Sequence, residues 1–180
     1  MDIPRVALWY ALSLRSRYEK KSYDLLCEKG VDAYLPLIEE VHVWSDRKKK
    51  VLEPLFRGYM FVRTDLRNRF EILQTDGVVR FVSIGNHLTA IPEKQMEWVR
   101  LASREPSKVS REPYLTIGER VRVNSGPLQG VEGIIVRVKD SYRIVLAVEC
   151  IAEAFSVDVA PEAVEKIQTQ RVLASAVVSG

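Results

Sequence analysis

Cysteine and histidine are scarce in this chain of 180 residues, which contains two of each. Cys27, Cys150, His42 and His87 do not stand in the CxxC or HxxxH spacings that hold a zinc ion. The sequence therefore predicts no metal site and no disulfide framework.

Long apolar segments are also missing. No apolar run approaches the roughly 20 residues that a membrane-spanning helix needs. The first apolar segment, residues 6–12, has neither a charged lead nor a small-residue cleavage site, so no signal peptide is expected. We expect a cytoplasmic protein without a membrane partner.

Catalytic motifs are absent as well. The sequence contains no phosphate-binding P-loop, no recognisable pair of nucleophile and base, and no paired carboxylates in a familiar setting. The expectation is a protein that is not an enzyme and uses no cofactor.

Net charge is small but unevenly distributed. The formal charge is +3, with 18 Lys and Arg against 14 Asp and Glu through residue 104, and 9 against 10 after it. The first part is therefore suited to a polyanion, whereas the second part is more suited to a protein partner.

Residues 1–106 carry the pattern of an α+β domain, in which helices pack on a sheet. Residues 5–14 alternate with period two and are apolar on both faces, which predicts a strand in the middle of the sheet. Ser16 and Glu19 stand in the S-x-x-E spacing of a capping box, which predicts the start of a helix. Gly30 is predicted to end that helix. Further strands are predicted at 31–37, 58–63 and 78–84, hairpin arms at 41–44 and 51–55 around a basic tip, and helices at 65–74 and after Pro92.

The remainder of the chain differs in residue composition and in the length of its predicted strands. Residues 105–113 contain two prolines, four charges and little to bury, so residues 107–113 are predicted to be a linker. Residues 114–168 contain short β-branched strands between glycine turns, which predicts a small β-barrel. The expected strands lie at 120–123, 131–138, 142–148 and 155–159, and residues 169–180 are expected to be a tail.

The glycine pattern of residues 118–136 is the most specific motif. Gly126 and Pro127 suit a turn after a strand, and Gly130 and Gly133 permit a tight reversal and a close backbone approach. Spaced in this way, the segment resembles a KOW motif, the element of SH3-like barrels in transcription factors and ribosomal proteins. An ordinary glycine-bearing hairpin is the alternative.

A second motif lies at residues 54–62, PLFRGYMFV. Together with Trp9-Tyr10, Gly77-Val78 and Ile91-Pro92, it resembles the N-terminal domain of the NusG family, and the resemblance covers residues 5–168. The basic hairpin is closer to the specialised, operon-directed members, such as RfaH, than to the general factor. Arg57 stands where relatives often have proline, and Ala11 and Ser13 are smaller than the residues of some relatives.

The resemblance implies a site that docks on the clamp helices of RNA polymerase. Alternation places Tyr59 and Phe61 on one face of their strand, and we expect Phe81 to join them in an exposed aromatic cluster. The residues implied in polymerase binding are Trp9, Ala11, Phe56, Tyr59, Phe61 and Phe81. The alternative is that these rings are ordinary core beneath the last helix.

The resemblance also implies contacts with upstream DNA and the non-template strand. The candidates are Arg15, Arg17, Lys20, Lys21, Arg47 and Lys48. Such contacts would reach phosphates, carry little sequence information and weaken with salt. A solvated helix face and a charged hairpin end that discourages edge pairing are the alternatives.

The function implied is transcription elongation or antitermination at a subset of operons. A monomer would bind bacterial RNA polymerase and suppress pausing or termination, while its barrel would bind a ribosomal protein or a termination factor. A KOW-type RNA-binding or ribosome-associated protein and a small α+β enzyme are the alternatives. Strong strand periodicity favours a barrel over a helical hairpin in the C-terminal part.

Overall fold

The computed structural model describes residues 6–43, 48–112, 118–138 and 141–167. In the first part of the chain, the elements are β1 (Leu8–Leu14), α1 (Glu19–Glu28), β2 (Asp32–Tyr34), β3 (Leu37–Val43), β4 (Lys48–Pro54), β5 (Tyr59–Thr64), α2 (Arg69–Leu73), β6 (Val78–Phe81), β7 (Ser83–Ile84), β8 (His87–Leu88) and α3 (Glu93–Ala102). The second part contains β9 (Val109–Glu112), β10 (Glu119–Val123), β11 (Glu132–Val138), β12 (Ser141–Val148), β13 (Glu153–Val159) and β14 (Val164–Lys166). The mixed fold, with few helices and many strands, agrees with the α+β prediction.

The first sheet has the strand order β2-β5-β1-β6, and β1 pairs antiparallel with both β5 and β6. The predicted mid-sheet position of this strand is confirmed. Because β1 is central, both of its faces are buried. Tyr10 and Leu12 pack with α1 and α2, whereas Trp9 and Ala11 belong to a second cluster on the opposite face.

The start of α1 differs from the predicted capping box. Tyr18 is the N-cap residue, and no side chain caps the helix there. The carboxylate of Glu19 instead accepts a hydrogen bond of 2.8 Å from the backbone N–H of Gly58, and Glu19 is only 6% exposed. The S-x-x-E spacing was therefore misleading, because a tertiary donor competes for the glutamate.

Strands β3 and β4 form a separate two-stranded hairpin in which seven residue pairs run from Leu37 opposite Pro54 to Val43 opposite Lys48. Both arms are longer than predicted. Lys48, Lys49 and Lys50, expected at the tip, lie in β4. Ile38 is 3% exposed and fixes the hairpin base in the core.

The second sheet has the order β14-β10-β11-β12-β13-β9, and its four predicted strands are confirmed as β10 to β13. Within the described residues, no strand pairing joins β14 to β9, so the sheet is open and the predicted closed barrel is not found. Strand β9 falls in the predicted linker, where it pairs with β13 and buries Val109. The expectation that this segment has little to bury is wrong.

Helix α3 links the two sheets. Its buried residues Met96, Val99 and Ala102 belong to the same apolar cluster as Trp9 on β1 and Leu146 on β12. The second sheet consequently packs on the face of the first sheet that lies opposite α1 and α2.

Candidate partner-binding surface

The aromatic residues predicted to form a partner-binding surface are largely buried. Trp9 and Phe56 are 1% exposed, Ala11 and Phe61 are 0% exposed, and Tyr59 is half-buried. The expectation of an exposed cluster is therefore wrong for this conformation. The contacts that bury these side chains come from two sources, α3 and the second sheet.

Helix α3 covers Trp9. The indole Nε1 donates a hydrogen bond of 3.3 Å to the Glu93 carboxylate, and the Arg100 guanidinium lies 4.6 Å from the ring centroid. A cation above an aromatic face is attracted to the ring quadrupole. Trp9 is thus core beneath the last helix, which was the alternative left open by the sequence.

The second sheet covers Phe56. Its ring makes edge-to-face contacts with Phe61 on β5, at a centroid distance of 5.7 Å, and with Phe155 on β13, at 5.8 Å. Such pairs contribute about 0.5–1.5 kcal/mol beyond the area that they bury. The burial of Phe56 therefore depends on the second sheet remaining in place.

Arg111 on β9 ties the second sheet to the first part of the chain. Its Nε donates to the Leu55 carbonyl at 2.9 Å and its Nη2 to the Pro54 carbonyl at 2.5 Å, while Nη1 donates to the carboxylate of Glu40 on β3. Both carbonyls belong to residues directly before Phe56. A single guanidinium thus fixes the turn that carries the aromatic ring.

Glu40 is the anionic partner in this contact. Burial alone would raise its pKa, but the hydrogen bond and charge of Arg111, with Arg57 nearby, hold the pKa of Glu40 below its ordinary value. Arg57 reaches the Glu40 carboxylate at 3.3 Å. The residue that departs from the proline of many relatives therefore adds an ion pair to the hairpin.

A second ion pair crosses between the two parts of the chain at the start of α3. Lys94 lies 3.4 Å from the Glu132 carboxylate on β11, which also pairs with Arg122 at 2.8 Å. Lys94 is well exposed, so this pair contributes less than the Arg111 contacts. We call the set Glu40, Phe56, Lys94, Arg111, Glu132 and Phe155 the seam.

Phe81 lies on the other face of the first sheet, so its predicted grouping with Tyr59 and Phe61 is wrong. Its ring contacts Tyr10 edge-to-face at 6.0 Å, among the residues that pack with α1 and α2. The register between β1 and β6 shifts at Ser13 and Leu14. This irregularity places Val78 and Phe81 in the same cluster, which simple alternation does not allow.

The basic residues around α1 are exposed, as a nucleic-acid contact requires, and two of them border a cleft of about 720 Å³. Arg17 and Lys20 line it from one side, with His42 and Arg57 on the other. Lys21 points elsewhere and pairs with Asp76 at 2.7 Å. Arg15 does not line the cleft, Lys48 is exposed on β4, and Arg47 lies outside the described residues.

Comparisons with known proteins agree with this architecture. The family model described as "Transcription termination factor nusG" matches residues 7–100. This chain belongs to the NusG family. The protein of Borreliella burgdorferi named "Transcription termination/antitermination protein NusG" is 28% identical, over 88% of this chain and 98% of the relative.

Further NusG relatives show the same extent of similarity. A protein of the same name from Staphylococcus epidermidis is 25% identical, over 88% of this chain and 95% of its own length. A solved structure described as a domain interaction in Thermotoga maritima NusG matches with a TM-score of 0.57 and 21% identity, covering 89% of this chain and 97% of that one. That likeness supports a NusG-like fold.

The glycine motif of this NusG-family chain has the geometry that its sequence predicts. Gly126 and Gly130 have positive φ values of 83° and 86°, and Pro127 follows the first of them. At Gly133, an added Cβ would lie 2.4 Å from the carbonyl oxygen of Val145. The first two positions need glycine for backbone conformation, and the third needs it for close packing.

The described residues offer no sign of a metal centre or a membrane span. No group of three or more His, Cys, Asp or Glu side chains among them is placed to hold a metal ion. None of their helices is long and apolar enough to cross a membrane. Two features among the described residues bear on partner binding: the seam, and the cleft bordered by Arg17, Lys20, His42 and Arg57, which also contains Glu19 and Glu53 and which we call the basic cleft.

Proposed function

We propose that this protein is a transcription elongation and antitermination factor that binds the RNA polymerase clamp and suppresses pausing or termination at a subset of operons. It acts as a cytoplasmic monomer, without catalysis of its own. The observation that carries the proposal is the apolar surface at Phe56, which a neighbouring sheet covers in this structure. A surface that accepts one protein face can accept another of similar chemistry.

In this proposal, residues 1–106 are the polymerase-binding domain and residues 114–168 are a KOW-type unit. Polymerase competes with the second sheet for Phe56 and Tyr59. The two states are a closed form, held by the seam, and an open form that binds polymerase. Polymerase shifts the equilibrium because it binds only the open form.

The effect on transcription follows from differential binding. A domain that bridges the two sides of the polymerase cleft stabilises the closed clamp, since a ligand favours the state that it binds better. Pausing and termination need the clamp to loosen, so both become rarer. The second sheet, once released, is free to bind a ribosomal protein or a termination factor.

The basic cleft supplies the nucleic-acid contact in this proposal. Arg17, Lys20 and Arg57 border it and would neutralise phosphates of the non-template strand or the upstream duplex. The second part of the chain has 9 Lys and Arg against 10 Asp and Glu, whereas the first part has 18 against 14, so the first part is better suited to a polyanion. The nucleic-acid role therefore belongs to the first part of the chain.

The test compares the intact protein with a Tyr59→Ala variant on a reconstituted bacterial elongation complex, with binding and pausing followed on one template. Tyr59 is half-buried, so its truncation leaves the core largely intact. We expect the variant to bind at least about fivefold more weakly, because a lost aromatic anchor costs more than about 1 kcal/mol. Ile84→Ala, at an exposed residue away from the seam, is the control.

Circular dichroism of both variants checks that they fold. Equal binding and equal pausing by the intact protein and Tyr59→Ala would refute the placement of the polymerase surface. Binding of the intact protein to free RNA but not to the elongation complex would favour a KOW-type RNA-binding protein instead.

A further inference from the structure

The β3–β4 hairpin carries an unusual concentration of exposed aliphatic side chains. Val41, Val43 and Leu52 are 55%, 68% and 47% exposed. Isolated exposed apolar residues are common on soluble proteins, but contiguous groups mark binding surfaces.

Strand pairing places them on the same face of the hairpin. Residues directly opposite each other across an antiparallel pair point to the same side. Glu39 pairs with Leu52, Val41 with Lys50, and Val43 with Lys48. The hairpin outer face therefore consists of Glu39, Val41, Val43, Lys48, Lys50 and Leu52.

The opposite face of the hairpin already has a role. Ile38 enters the core at the base, and Glu40 accepts a hydrogen bond from Arg111. These contacts, and the hydrogen bond of 2.6 Å from Lys20 Nζ to the Leu52 carbonyl, fix the base of the hairpin. A fixed arm loses little conformational entropy when it binds a partner.

The charges on the outer face indicate the sign of the partner. Lys48 and Lys50 flank the valines toward the tip, and the one acid, Glu39, lies nearer the base, where it pairs with Lys50 at 2.8 Å. An apolar centre with a basic rim matches a protein surface with an apolar centre and an acidic rim.

Nucleic acid is the poorer match for this face. Single-stranded nucleic acid is held by aromatic side chains on which bases stack, and phosphates are held by cations. The centre of the outer face contains only aliphatic side chains, which gain nothing from a phosphate backbone. The lysines alone would suit DNA, but the valines and the leucine would remain exposed.

We propose that the hairpin outer face is a second docking surface, which binds an acidic, apolar-centred protein surface on the transcription elongation complex. The inference rests on the proposed function, because that function brings the complex to this chain. It assigns the hairpin to a protein contact that is distinct from the surface at Phe56.

The test places p-benzoylphenylalanine at position 43 of the full chain and irradiates it with a reconstituted elongation complex. We expect a crosslink to a polymerase subunit, and peptide mapping should find it beside acidic residues. Crosslinks to DNA or RNA alone would overturn the proposal, as would a complex that forms without any crosslink from this position.

A matched pair of variants measures the energetic contribution. Val41→Thr/Val43→Thr keeps β-branched shapes but makes the face polar, and we expect binding to weaken about tenfold, as burial of two methyl-sized groups implies. Val79→Thr/Ile84→Thr, at residues 53% and 57% exposed outside the hairpin, should bind as the unmodified protein does. Equal affinity of both double variants would overturn the proposal.

The two proposals fail in different ways. If the unmodified protein does not bind the elongation complex, the proposed function and this inference fall together. If binding is normal and Tyr59→Ala weakens it while Val41→Thr/Val43→Thr does not, only the hairpin surface is refuted.

Discussion

Removal of the Arg111 side chain should open the protein and strengthen its binding to polymerase. Arg111 makes three hydrogen bonds across the seam, to two backbone carbonyls and to the Glu40 carboxylate. Hydrogen bonds to charged groups contribute about 1.5–3 kcal/mol each, but they are not additive, and this side chain is 28% exposed. We therefore expect Arg111→Ala to weaken closure by about 2–3 kcal/mol in total.

The corresponding change in population is large. A loss of 2–3 kcal/mol shifts the ratio of open to closed molecules by about 30- to 160-fold. Apparent affinity for polymerase rises by the same factor for as long as the closed form predominates, because only the open form binds. The assay is fluorescence anisotropy of labelled protein titrated with a reconstituted elongation complex.

Arg143→Ala provides the matched control. The Arg143 side chain is also 28% exposed and also pairs with acids, but its partners, Asp158 and Glu112, lie in the second sheet itself. Its removal should leave affinity within about twofold of the starting protein. Unchanged or weaker binding by Arg111→Ala, or an equal gain by Arg143→Ala, would refute the role of the seam.

Three further predictions concern stability and pH. Because the folded-state pKa of Glu40 is lowered, its contribution is present above the ordinary value of 4.5 and is lost as pH falls through the folded-state value, so acid should loosen the seam. Fluorescence transfer between dyes on the two parts measures this, and an acid response of undiminished size in Glu40→Gln, which keeps Glu132 as the other acid of the seam, would contradict it. Gly133→Ala should lower the free energy of unfolding by about 1–3 kcal/mol, because the added Cβ would meet the Val145 carbonyl. Urea denaturation measures this, and an unchanged unfolding midpoint would disprove the close approach. Glu19→Ala should lower the free energy of unfolding by about 1–3 kcal/mol, because the Gly58 N–H would lose its acceptor, whereas Ser16→Ala should lower it little. A larger loss in Ser16→Ala than in Glu19→Ala would instead support the predicted capping box.

Several features of the fold could be predicted from the sequence because they depend on local chemistry. Alternation on both faces of residues 5–14 identified the central strand of the first sheet. The positive φ values at Gly126 and Gly130 and the close approach at Gly133 were expected from glycine spacing alone. Two ordered motifs were enough to indicate the NusG family.

Other features depend on contacts between distant residues. Simple alternation misplaced Phe81, because the register shift at Ser13 and Leu14 changes which residues share a face. Glu19 has a competing donor, Gly58, which is 39 residues away along the chain. Neither the shift nor the donor leaves a signal in the local sequence.

The seam is the clearest example of a feature that depends on contacts between distant residues. Arg111 is one charge among several in a segment with the composition of a linker, and nothing near it indicates that it contacts Glu40, 71 residues earlier. The sequence by itself determined the family, the central strand of the first sheet, strands β10 to β13 and the candidate aromatic residues, because these follow from periodicity and residue type. Only the tertiary structure decided that those aromatics are covered, because burial depends on which surfaces meet.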